Sequence, residues 1–249
     1  MCGRYALTAT PEVLRALLGY PEMPNFPPRY NVAPTQPIAI VRLVNRERHF
    51  ALVRWGLLPS WVKDPKAFAL LINARGETVS DKPAYKAAMK RRRCLIPADG
   101  FYEWKAVGTH KQPYFIRAKS GAPLALAGLW ETWIGPNGEE LETAVIVTTA
   151  GNRMLSTIHD RMPVIIAPEQ FDLWLDNRNE DTGAAAALIR PAPDDLLEAI
   201  AVSAEVNRVA NDNPKLIERV DEIAVQPKPA PKPRRPAPSK KPDGQGMLF

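Results

Sequence analysis

Residues 124–149 read LALAGLWETWIGPNGEELETAVIVTT. Apolar residues fill Leu124–Leu129 and return at Thr143–Thr149, and Asn137-Gly138 lies between Trp133 and Leu141, where a tight turn of that type joins antiparallel strands. Working outward, runs of the same length recur between turn signals at Ile38–Leu43, Phe50–Trp55, Phe68–Ile72 and Pro113–Arg117. They read as strands of a mostly antiparallel sheet system. Helices are expected at Pro11–Leu18, Lys82–Arg93, Pro168–Leu175, Thr182–Ile189 and Pro193–Ala201, several of them opening with proline or a capping residue. The expected class is α+β, mostly antiparallel β, a curled sheet or barrel with peripheral helices. No internal repeat is visible.

The chain has 249 residues and is 45% hydrophobic, enough for one well-cored domain. No run approaches the length of a membrane span, and Arg4, Glu12 and Arg15 interrupt the region where a signal peptide would keep its apolar core. A cytoplasmic, monomeric protein is expected. The two cysteines, Cys2 and Cys94, are too few for a disulfide framework and sit in no zinc-binding pattern, so the expectation is free-thiol chemistry with no metal and no cofactor.

The formal charge of +6 is misleading until it is mapped. Between Pro227 and Phe249 six basic residues stand against the single acid Asp243, which leaves the preceding 226 residues close to neutral. Phosphate binding by the body would therefore need a local cluster of arginines. The proline-basic alternation of the tail disfavours helix and sheet. The domain is expected to span residues 1–226, with a disordered Pro/Lys/Arg-rich tail over 227–249.

The amino terminus reads Met1-Cys2-Gly3-Arg4-Tyr5. Loss of Met1 would place an α-amine and a thiol on adjacent carbons, titrating near ~8 and ~8.5 against ~10.4 for a lysine. An aldehyde meeting that pair forms a Schiff base, and the thiol then closes a five-membered thiazolidine. A frayed terminus is an equally weighted reading of this fragment alone. Three further segments bear on the choice. Asn73-Ala74-Arg75-Gly76-Glu77-Thr78 sets an amide, a guanidinium and a carboxylate at the end of an apolar run, either lining a cavity or forming a structural network. Glu103 lies among aromatics in Ala98–Trp104, where burial would raise its pKa, although an exposed strand position is the commoner fate. His159 stands beside Asp160 and Arg161 and is a better general acid/base candidate than His49 or His110, which lie in polar, charged surroundings.

Taken together, MCGRY, YNVAPT, RWGLLPSW, INARGET, CLIPADGFYEWK and IHDRMPV closely resemble the SRAP family, the SOS response-associated peptidase or abasic-site-processing proteins. The resemblance runs from Cys2 to about Asn211. It implies that Cys2 crosslinks to the ring-opened deoxyribose of an abasic site in single-stranded DNA, shielding the lesion. It implies that Asn73 orients the amino-terminal residue and the sugar, that Glu103 moves protons during Schiff-base formation, and that His159 serves sugar ring opening and crosslink reversal. Arg4, Arg75 and Arg161 match phosphate-holding positions, Trp61 one that packs against a neighbouring base, and Thr148 a further position at the site. Clamping phosphates while a planar side chain replaces lost stacking needs little sequence readout.

Other readings are a glutamine amidotransferase with an amino-terminal nucleophile, which also begins Met-Cys-Gly, a peptidase using Cys2, and a non-catalytic DNA-binding module. The first would need a glutamine-binding Asn-Gly downstream, and Asn137-Gly138 is already taken by the hairpin. The tail adds one partner. Its last five residues, Gln245-Gly246-Met247-Leu248-Phe249, resemble peptides that dock on the bacterial replication sliding clamp, matching at Gln245, Leu248 and Phe249 but lacking the common leucine at the second position.

Overall fold

A computed structural model describes residues 2–178 and 181–222. In chain order its strands are β1 (Tyr5–Leu7), β2 (Arg29–Val32), β3 (Pro37–Val44), β4 (Glu47–Trp55), β5 (Asn73–Arg75), β6 (Arg93–Ala98), β7 (Gly100–Val107), β8 (His110–Ala118), β9 (Leu124–Ile134), β10 (Glu140–Ala150), β11 (Arg161–Pro163) and β12 (Leu197–Ala201). The α-helices are α1 (Pro11–Leu18), α2 (Pro83–Arg91), α3 (Phe171–Leu175) and α4 (Gly183–Ala186).

One sheet has five antiparallel strands in the order β12-β8-β7-β1-β2. In the other, β10, β4, β3, β6 and β9 pair in turn, and β9 returns to β10, closing a ring of five strands. The hairpin of residues 124–149 thus forms the seam of the ring, with Gly138 at φ 82° in its turn. Strand β10 changes neighbours along its length. Glu140–Ile146 pairs with β9, Thr143–Ala144 with β4, Ile146–Thr148 with β5, and Thr148–Ala150 with β11. The pairings of β10 with β4 and β5 are parallel and the rest antiparallel.

Asp99 is the one residue between β6 in the ring and β7 in the other sheet. Its amide donates to Ala6 O, and its carboxylate accepts from Thr8 N and Thr8 Oγ1, so this corner clamps the end of β1. A Cβ on Gly100 would lie 2.4 Å from Ile116 O, which leaves room for glycine alone. Helix α1 follows from its residues. Thr10 caps the Val13 amide, Pro11 occupies the first turn, and Gly19 ends the helix at φ 72°. Its Leu14 and Leu18, four apart, are fully buried, each contributing roughly 1.5–3 kcal/mol. They enter the main core with Tyr5, Trp55, Ile116 and Trp174, which joins the ring to the inner face of the five-stranded sheet.

Two expected elements differ. Phe68–Ile72 is no strand. Only Leu71 bridges, to Leu57, and the residues that take the place beside β10 vacated by β4 are the next three, β5. Pro193–Ala201 is no helix, because Leu197–Ala201 pairs residue by residue with Tyr114–Ala118 of β8, and that ladder outweighs the helix preference of Leu, Glu and Ala.

Candidate functional site

The site forms where β10 parts from β9. Strand β5 lies there in parallel register, Ile146 opposite Asn73 and Thr148 opposite Arg75, and β11 takes the other side with Thr148 opposite Pro163. The amino-terminal segment crosses this opening. Cys2 is 1% exposed, its Sγ 3.8 Å from Arg4 O. Asn73 Nδ2 donates to Cys2 O at 2.9 Å, while Asn73 Oδ1 is buried with no acceptor role filled among the described residues. Tyr85 on α2 donates its hydroxyl to Asn73 O at 3.2 Å and braces the strand from behind.

Glu103 comes from β7. Tyr5 pairs with Phe101 and Tyr102 N donates to Arg4 O, so continuing that register brings Glu103 alongside Gly3. The carboxyl is 2% exposed, and burial pushes its pKa up to about 7. Burial likewise drives the Cys2 thiol upward, with the negative charge of Glu103 adding to the effect. His159 Nε2 lies 3.9 Å from Glu103 Oε2. In the neutral ring His159 Nδ1 meets both the Arg161 amide, at 3.0 Å, and Arg161 O, at 3.3 Å, and accepts from the one or donates to the other according to its tautomer. Burial lowers the His159 pKa, favouring that neutral form. Asp160 Oδ1, on the solvent side, is 3.2 Å from Nδ1. Cys2, Asn73, Glu103 and His159, distant in sequence, therefore gather at one place. A nucleophile, an amide that orients it and two proton carriers stand within reach of a reacting carbonyl.

The arginines differ sharply. Arg161 forks both oxygens of Glu77, at 2.6 and 2.9 Å, and also donates to Thr148 O and Oγ1. The pairing holds Glu77 below its ordinary pKa. Thr148 is fully buried, its hydroxyl donating to Ala74 O. The Arg75 side chain is exposed and makes no hydrogen bond or ion pair among the described residues. Arg4 is bonded within the fold. It donates to Asn31 Oδ1, Val206 O and Asn207 O, tying the amino-terminal segment to the chain that follows β12. Buried Asn31 extends that tie to Arg208 O and Asn211 O, and Asp212 accepts from Tyr30 N and Asn31 N. The sequence marked Arg4 by its motif but gave no sign of these partners. Trp61 is 58% exposed, in edge-on contact with Phe68 at 5.6 Å over a separate small core of Leu58, Val62 and Trp133. Among the described residues no three His, Cys, Asp or Glu side chains converge to hold a metal ion. Gln245, Leu248 and Phe249 lie outside the described residues.

Comparison with known proteins places this geometry in context. A family model described as SOS response associated peptidase (SRAP) matches residues 1–209. The chain is 40% identical over 222 residues to the abasic site processing protein YoqW of Bacillus subtilis (strain 168), covering 88% of this chain and 99% of that one. It is 35% identical over 229 residues to the abasic site processing protein YedK of Escherichia coli (strain K12), covering 88% and 100%. A solved structure of a protein from Bacteroides thetaiotaomicron superposes with a TM-score of 0.80 at 25% identity, covering 88% of this chain and all of that one.

Proposed function

The chain belongs to the SOS response associated peptidase (SRAP) family, and from that premise we propose that it processes abasic sites in single-stranded DNA by forming a thiazolidine crosslink through Cys2 once Met1 is removed. The observation that carries the reading is the convergence of Asn73, Glu103 and His159 on a buried amino-terminal cysteine. Relatives of this chain named abasic site processing proteins support it.

With Met1 attached, the nitrogen of Cys2 is an amide and no nucleophile. Freed, it becomes an amine titrating near ~8, and Asn73 Oδ1 is an acceptor ready to orient it. The amine attacks the aldehyde carbon of the ring-opened sugar. Loss of one water, with Glu103 shuttling the protons, gives the Schiff base. The thiol then adds to the imine carbon and its proton passes to nitrogen, closing the ring. Carboxyl and carboxylate are both populated near pH 7 in a group with the pKa of Glu103, so it can give a proton at one step and take one at the next. Neutral His159 serves the sugar oxygen during ring opening and its reversal. Peptidase activity is confined to release of Met1 and turnover of the adduct.

Arg75 and Arg161 hold phosphates, Arg161 sharing its fork with Glu77, and Trp61 stacks on a base beside the lesion. Thr148 keeps Arg161 in place. Arg4 acts mainly by fixing the amino-terminal segment. The protein works as a cytoplasmic monomer, and its Gln245, Leu248 and Phe249 dock on the replication sliding clamp, raising the local concentration of Cys2 at single-stranded gaps. Titration calorimetry of the tail peptide against the clamp, with Leu248→Ala plus Phe249→Ala as control, tests that partner. Absence of heat with the intact peptide rejects it. The chemistry is tested by intact mass after incubation with an abasic single strand. A species at protein plus oligonucleotide less one water, without Met1, is expected; unmodified protein overturns the proposal.

A further inference from the structure

Residues 82–93 hold Lys82, Lys86, Lys90, Arg91, Arg92 and Arg93 and not one acid, in a body whose net charge is near zero. Arg92 and Arg93 are held within the fold. Arg92 pairs with Glu131 at 2.7 Å, and buried Arg93 donates to Trp174 O and Met89 O. Lys82, Lys86, Lys90 and Arg91 lie along the outer side of α2, Lys90 and Arg91 with partners of their own. Lys82 caps the helix and has no acid in the first turn to offset it, and Lys86 and Lys90 follow at four-residue steps. Lys86, Ala87, Lys90 and Arg91 line a shallow groove in which Asp81 is the one acid among the described residues. Lys82 and Lys86 are exposed and form no ion pair among the described residues. Like charges four apart destabilise a helix, so this face weakens α2 locally and invites an external anion.

Its position gives the anion an identity. Helix α2 continues directly from the strand that carries Asn73 and Arg75, and two tight turns, closed by Val79 N to Gly76 O and Lys82 N to Thr78 O, bring the chain from Arg75 to Lys82. Tyr85, on the inner side of the same helix, holds Asn73. The lysines then advance about 6 Å per step along the axis, a spacing of the order of one nucleotide in an extended strand. We infer that the lysine face of α2 carries the phosphates of the single strand as it leaves the lesion, prolonging the interface begun at Arg75. This rests on the reading of the site as a binder of abasic single strands. The face adds electrostatic, sequence-independent affinity and takes no part in the bond to Cys2.

The test compares full-length wild type with Lys82→Glu/Lys86→Glu, and with Lys82→Gln/Lys86→Gln as a milder variant. Binding is followed by fluorescence anisotropy on 5- and 15-nucleotide single strands with a central tetrahydrofuran abasic analogue, over a range of salt. Wild type is expected to prefer the longer strand. The Glu variant should lose most of that preference, and its salt slope on the longer strand should fall by about 1.4, at about 0.7 per single-strand phosphate. The Gln variant should fall between. Affinity for the 5-mer, and the adduct mass formed with a reactive abasic 5-mer, should stay at the wild-type level. An unchanged length preference and slope overturn the inference, as does an equal loss on a 15-base-pair duplex. If wild type forms no adduct with the reactive 5-mer, it is the proposed chemistry that fails, whatever α2 does.

Discussion

The seam of the site and its rim follow opposite rules. In the seam Cys2, Asn73 and Glu103 are held by backbone and side-chain partners from β5, β7 and α2, and burial moves the pKa values of the thiol and the carboxyl upward. At the rim Arg75 and Trp61 project into solvent with few commitments. Reactivity needs desolvation and fixed geometry, whereas capture of a flexible polyanion needs reach and exposed charge. Arg4 and Arg161 stand on the border: motif residues like Arg75, but with terminal guanidinium nitrogens already bonded within the fold.

The largest effect expected from breaking this contrast is at Cys2. Cys2→Ala should abolish the heat-stable adduct in a denaturing gel, while Cys94→Ala, equally buried but in β6, should leave it intact. A heat-stable adduct in Cys2→Ala without borohydride would sink the thiazolidine mechanism. Cys2→Ser should yield only a less stable oxazolidine.

Glu103→Gln comes next and should slow adduct formation roughly 10²- to 10⁴-fold. The wild-type rate should carry an inflection near pH 7 that the variant lacks. His159→Ala should keep that inflection and mainly slow reversal; identical effects of both on formation and release would reject the division of labour. Stability supplies a second readout. The folded pKa of Glu103 is raised from 4.5 to about 7, so its contribution is fully present below pH 4.5 and is lost as pH rises through 7. Urea unfolding at pH 5 and pH 8 should show a smaller difference in Glu103→Gln than in wild type.

At the rim the changes are smaller. Trp61→Ala should weaken single-strand binding by about 1–3 kcal/mol with little dependence on salt, measured by anisotropy. Arg75→Ala should lower the salt slope by about 0.7, the share of one phosphate, and leave the adduct rate at saturating DNA nearly unchanged. A larger slope change for Arg161→Ala than for Arg75→Ala would show that Glu77 gives way fully to DNA.

Much of this was legible in one dimension because it is local. The cap at Thr10, the proline at position 11 and the leucines at 14 and 18 specify α1 to the residue, and the hairpin between Trp133 and Leu141 follows from Asn137-Gly138. That loss of Met1 would set an amine beside the thiol of Cys2 is a covalent consequence of the sequence. Where local preference competes with pairing, the reading failed. Phe68–Ile72 resembles a strand as well as β5 does, and Pro193–Ala201 resembles a helix, until a neighbouring strand offers one of them a ladder.

The sequence by itself determined which groups exist and which short segments they ride on: a nucleophile at position 2, a carboxyl among aromatics, a histidine flanked by charges. Only the tertiary structure decided what those groups are. The pKa of Glu103 depends on how much water the pairing of β7 with the amino-terminal segment excludes, and that of His159 on the burial it meets beside Glu103. That Arg4 donates to a carbonyl 202 residues distant in the chain is likewise a matter of tertiary structure. Solvation and hydrogen bonding act across a few ångströms of space, and no local pattern encodes which remote segment will fill them.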